Sequence, residues 1–194
     1  VQAMFPGWST RRLDADSTAK KGSLESTLED FRAGKIDILL GTQMVAKGLN
    51  FPGVKTVGVV LADAGLNLPD FRSAERTFAL VMQAAGRAGR GNKPGRVVVQ
   101  TYHPGHYAMI AGAAPDYERF YQQEIQFREQ LQYPPFARFL KLTFSGVDES
   151  RTMKLAEDTM LLLQGLLAQA MPAIELLGPY AAPVAKIGDL FRVQ

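Results

Sequence analysis

The sequence has no cysteine, which excludes disulfides and any thiolate zinc site within these residues and fits a reducing compartment. Histidine is nearly as scarce. His103 and His106 both fall in "YHPGH", and no carboxylates are grouped around them as a metal site would want. No metal is expected in this chain, and the pair reads as a strand-end turn. Long apolar runs are missing too: "MLLLQGLLAQAM" at 160–171 is broken by Gln164 and Gln169 and is too short to span a bilayer. The opening "VQAMFPGW" has no basic flank ahead of an apolar core, so no secretory signal is expected. These absences lead us to expect a soluble, cytoplasmic protein with no membrane partner. A start without Met and a finish at "GDLFRVQ" lead us to expect an excised fragment.

What is present is an ordinary globular composition. Hydrophobic residues make up 46% of 194, enough for one full domain and part of another. The formal charge of +3 suits a polyanionic partner, but only weakly. Residues 10–16 read as a strand. Leu24, Leu28 and Phe31 form a helical stripe ended by Gly34. "IDILLG" (36–41), "VKTVGVVLAD" (54–63) and "GRVVVQTY" (95–102) are apolar runs of the kind that form buried parallel strands. A helix is expected from Ser73 to about Ala85. Strands alternating with helices call for an α/β fold with a mostly parallel sheet.

After residue 103 the pattern changes. A polar helix lies within 113–136 and closes at Pro134–Pro135, a natural junction. "ARFLKLTFSG" alternates as a strand, residues 149–170 form a helix with Leu155, Met160, Leu163, Leu166 and Leu167 broadly on one face, and two more strands follow. The expected division is a first domain over 1–112, a linker helix and Pro-Pro junction over 113–136, and a partial, truncated small α+β domain over 137–194.

Two stretches carry chemistry. In "QAAGRAGR" (83–90), Gln83, Gly86, Arg87 and Arg90 are spaced so that a helical turn would place them on one side. Gly86 and Gly89 leave the backbone uncovered beside two guanidiniums, which suits the oxygens of a phosphoryl group. The alternative is a basic helix end facing solvent. In "ILLGTQMVAKGLNFPGV" (38–54), Thr42 follows a strand's carboxyl end, where open α/β sheets place ligands. Its hydroxyl could donate to a backbone phosphate, and Lys47–Gly48 adds a cation and open backbone. The alternative for Thr42 is a turn or a helix cap.

Taken in order, "GTQMVAKGLNFPGV" and "QAAGRAGR" resemble the fifth and sixth motifs of the superfamily 2 helicases, whose second motor lobe is RecA-like. Together with "LDADSTAKKGSLESTLEDF", "DFRSAER", "QTYHPGH" and "QLQYPPFARFLKLTF", they are similar to one family within it, the bacterial primosomal helicases of replication restart. The resemblance covers about residues 5–145 and thins toward 194.

The resemblance implies that Arg87 and Arg90 are arginine fingers reaching ATP on another lobe, with Gln83, Gly48 and Asn50 at the nucleotide cleft. Many members carry aspartate where this chain has Asn50, so its bond to the ribose is carried over without charge. Thr42 and Lys47 would touch the DNA backbone. Asp63 would anchor the link between the motifs or, equally, cap a strand end, and Gly86 would keep the finger segment uncovered. No G-x-x-x-x-G-K-[ST] loop and no Asp-Glu-x-His box occur in the sequence. The resemblance places these, with ATP and Mg²⁺, on a first lobe, and places zinc in an upstream insertion. The chain alone is expected to be inactive. Implied partners are single-stranded and forked DNA, single-strand-binding protein and other primosome proteins. The alternative is a non-catalytic nucleic-acid-binding or interaction module that keeps the motor-lobe fold.

Overall fold

The computed structural model describes residues 1–14, 22–42, 51, 53–86, 95–170 and 173–194. The chain divides into two compact units, Val1–Leu131 and Gln132–Gln194. In the first, β1 (Thr10–Leu13) pairs in parallel with β2 (Ile38–Gly41), Thr10 opposite Ile38 and Leu13 opposite Gly41. Helix α1 (Ser23–Arg32) crosses between them and buries Leu28. It stops where Gly34 takes φ +73°, a left-handed conformation that glycine adopts without strain. There Gly34 N–H donates to Phe31 O and Lys35 N–H to Asp30 O, satisfying two carbonyls of the last turn.

The second parallel pair joins β3 (Thr56–Val59) to β4 (Arg96–Val99), Thr56 opposite Arg96 and Val59 opposite Val99. Every strand pair described in this unit is parallel, as the α/β pattern requires. The expected strand over 54–63 ends early. Leu61 adopts φ +52°, Ala62 N–H donates to Gln100 O, and Ala62–Ala64 form a 3-10 turn.

Helix α2 (Ser73–Ala85) follows, burying Thr77, Phe78, Val81 and Ala84 on one stripe. Helix α3 (Tyr107–Ala113), an element not assigned from the sequence, packs Ala108 and Ala111 against Phe78. At Gly112 the backbone of α3 comes so close to α2 that a Cβ would stand 2.9 Å from Val81 Cβ. Helix α4 (Tyr117–Gln130) is capped by the Asp116 side chain, which accepts from Arg119 N–H at 3.0 Å. Phe120 of α4 stacks on Phe78 with centroids 4.3 Å apart. The helix expected within 113–136 therefore packs into the first unit, which ends at Leu131, ahead of the two prolines.

The second unit is an α+β arrangement in which β5 (Phe144–Gly146), β7 (Leu190–Val193) and β6 (Ala181–Ile187) form an antiparallel sheet in the order β5-β7-β6. The expected strand over 137–146 pairs only over its last three residues. Helix α5 (Glu149–Ala170) buries Thr152 and Ala156. Two members of its expected apolar face, Leu155 and Leu166, point outward at 57% and 59% exposed. The inward stripe runs through Thr152, Ala156, Met160, Leu163 and Leu167, which share a face at 3.6 residues per turn whereas Leu155 and Leu166 do not.

Candidate nucleotide and strand-contact site

Thr42 is exposed in a bend directly after the carboxyl end of β2. Gln83 lies half-buried on the last turn of α2, and Gly86 closes that helix, its N–H donating to Met82 O at 3.0 Å. Lys47, Gly48, Asn50, Arg87 and Arg90 lie outside the described residues.

Asp63 is the best-held member of the expected set. It is 2% exposed within the turn after β3, and its carboxylate collects donors from the segment that follows β4. Thr101 Oγ1 donates to Oδ1 at 2.6 Å, Tyr102 N–H to Oδ2 at 2.9 Å and His103 N–H to Oδ1 at 3.2 Å. His103 Nδ1 lies 3.1 Å from Oδ1. The Thr101 hydroxyl above all, then the Tyr102 amide and the His103 side chain, hold this carboxyl well below the usual carboxylate range despite burial. An ionised carboxylate only accepts, so Nδ1–H donates and Nε2 is left as the ring's outward nitrogen. Asp63 thus clamps the end of a neighbouring strand, a role decided by pairings 38 to 40 residues away in the chain.

Thr101 and His103 join Asp63 in a hydrogen-bonded cluster that the sequence alone does not identify. His106 serves the fold in another way, because its Nδ1 accepts from Ala108 N–H at 3.2 Å and so caps α3. Burial, foremost, pushes its pKa down, in keeping with a neutral ring whose Nδ1 lone pair must stay free to accept. Among the described residues no three His, Asp or Glu side chains are grouped to hold a metal ion, so no described residue is assigned to Mg²⁺.

This arrangement can be set beside known proteins. Residues 2–92 match the model of the helicase conserved C-terminal domain, and residues 129–194 match the primosomal protein N C-terminal domain. Replication restart protein PriA of Treponema pallidum is 47% identical over 195 residues, an alignment that covers 100% of this chain and 29% of the relative. The chain is similar to the C-terminal part of PriA along its whole length. The PriA proteins of Bacillus subtilis and Synechocystis are 45% and 40% identical, each over 98% of this chain and over 23% and 22% of their own lengths. The chain thus spans between a fifth and a third of the PriA relatives it matches. The helicase match contains both chemistry-bearing stretches, and the primosomal match begins on the last turns of α4.

Proposed function

We propose that this chain supplies the second motor lobe, and the C-terminal portion after it, of an ATP-dependent 3′-to-5′ DNA helicase that acts in replication restart at stalled or branched forks. One observation carries the reading: a helicase C-terminal match that spans Thr42 to Arg90 is followed in the same chain by the primosomal C-terminal match. In this reading Arg87 and Arg90 reach the γ-phosphate, and Gln83, Gly48 and Asn50 face the nucleotide. A first lobe holds the phosphates and Mg²⁺, and zinc belongs to an upstream insertion. Thr42 and Lys47 meet the strand's phosphates, so binding is sequence-neutral and salt-sensitive. Asp63 and Gly86 serve coupling. The chain alone does not hydrolyse ATP, because fingers act only on phosphates that something else holds. Single-strand-binding protein and other primosome proteins are its partners in a bacterial, nucleoid-associated setting.

The test is DNA-stimulated ATP hydrolysis by the intact protein with Arg87→Ala or Arg90→Ala. An arginine finger is worth about 10³-fold or more in rate, so hydrolysis should fall by that factor while single-strand affinity stays within about twofold. Activity within about tenfold of wild type for both variants would remove the arginines from the phosphate and sink the proposal.

A further inference from the structure

Tyr102 is, among the described residues, the most exposed aromatic side chain, with 78% of its surface accessible. Its backbone is nonetheless firmly held. Its own N–H donates to Asp63 at 2.9 Å, and the residues on either side, Thr101 and His103, donate to the same buried carboxylate. The His103 ring, 62% exposed, is held through Nδ1 and keeps Nε2 outward. Beside this segment Leu61 is fixed at φ +52°, a conformation that a leucine adopts only under constraint, and Val60 is 79% exposed. Ala62 N–H ties that turn to Gln100 O, so both loop segments belong to one rigid tip at the carboxyl ends of β3 and β4.

We propose that Tyr102 and His103 form a further contact point for single-stranded nucleic acid, Tyr102 stacking under a base and His103 offering Nε2 to the same strand. The inference rests on the nucleic-acid reading given above. An aromatic face accepts any of the four bases, which suits a motor that must not pause on sequence. A ring presented on fixed backbone also loses little freedom on binding, so the stack costs less than one made by a mobile loop. The site lies at the carboxyl ends of parallel strands, where sheets of this class receive ligands. Asp63 acts here as a positioning residue: it holds the backbone and the imidazole and does not itself face the strand.

The test uses the intact protein and a fluorescein-labelled oligothymidylate at low salt, with a fluorescent ATP analogue as the second probe. Loss of one base–aromatic stack corresponds to about a 5- to 150-fold weakening, so Tyr102→Ala should bind oligothymidylate at least about fivefold more weakly. Tyr102→Phe should stay within about twofold, and His103→Ala should lose about two- to tenfold, one hydrogen bond's worth. Because Tyr102 is exposed, Tyr102→Ala should melt with wild type, which separates lost contact from lost fold. The inference is overturned if Tyr102→Ala binds as wild type does while Thr42→Ala with Lys47→Ala binds more weakly; the lobe's DNA reading then stands without this tip. It is also overturned if Tyr102→Ala weakens only the ATP analogue. Failure of the wild-type protein itself to bind oligothymidylate would bring down both readings.

Discussion

Replacing Arg128 with alanine tests how α2, the helix that carries Gln83, is held. Arg128 reaches from α4 to α2: Nε donates to Glu124 Oε1 at 2.7 Å, and Nη2 to Glu75 Oε2 at 2.9 Å. The guanidinium also lies over the Phe71 ring at 5.2 Å. The two bonds are unequal. The Arg128 and Glu124 side chains are 15% and 9% exposed, whereas Glu75 is 54% exposed. Stranding one partner of a charged, mostly buried hydrogen bond costs about 1.5–3 kcal/mol, and the exposed bond to Glu75 adds at most about 1 kcal/mol. The expected loss is about 1.5–4 kcal/mol. For a unit of this size, about 3–4 °C of melting temperature accompanies each kcal/mol, so calorimetry should show the first unit's transition fall by roughly 5–16 °C. Glu75→Ala should cost at most about 1 kcal/mol. Arg128→Met with Glu124→Gln, which removes both charges and leaves Tyr107 a partner, should recover much of the loss because no buried charge is left stranded. A melting point for Arg128→Ala within about 3 °C of wild type, or Glu75→Ala as costly as Arg128→Ala, would refute the burial on which the estimate rests.

Two further expectations come from the same neighbourhood. At Gly112 an added Cβ would meet Val81 Cβ at 2.9 Å and Phe78 O at 3.2 Å, so Gly112→Ala should separate α3 from α2 at a cost of about 1–3 kcal/mol, measurable by urea denaturation. Tyr107 donates to Glu124 Oε2 at 2.5 Å, and burial first, then that bond, raise its pKa above the ordinary 10.0. A raised folded pKa means that stability is fully present below pH 10.0 and is lost as pH climbs beyond it; Tyr107→Phe should flatten the alkaline limb of a melting-temperature profile taken between about pH 8 and pH 11.

The elements that were legible in the sequence are those whose signal is long and local. Helices α2 and α5 span 73–85 and 149–170 as their periodicity requires. Seven-residue α3, composed of Ala, Gly and a few large apolar side chains, is shorter than the window in which a helical period is resolved. Strand ends failed for another reason. Residues 137–146 alternate, but a strand continues only where it has a partner, and β7 offers four residues, three of them opposite β5; Leu140 is accordingly left 88% exposed. On α5 the apolar residues outnumber the places the sheet offers, so hydrophobicity alone cannot say which leucines turn inward.

Of the candidate site, what can be set against the sequence is where its described members stand on the elements. Thr42, Gln83 and Gly86 are found at the element ends where their spacing put them, but Asp63 is different in kind. A sequence shows an aspartate after an apolar run; it does not show that Thr101, Tyr102 and His103 return to that aspartate from 38 to 40 residues away. The packing gives the clamp its place in the lobe. Val81 of α2, 1% exposed, shares one cluster with Ala62, the residue next to Asp63, and with Met109 of α3. Phe78 and Glu75 fasten the same helix to α4 through Phe120 and Arg128. Close-packed contacts of this kind transmit displacement instead of absorbing it. Helix α2, with Gln83 near its end, and the turn that holds Tyr102 and His103 are therefore parts of one packed body, joined through Val81 and Ala62.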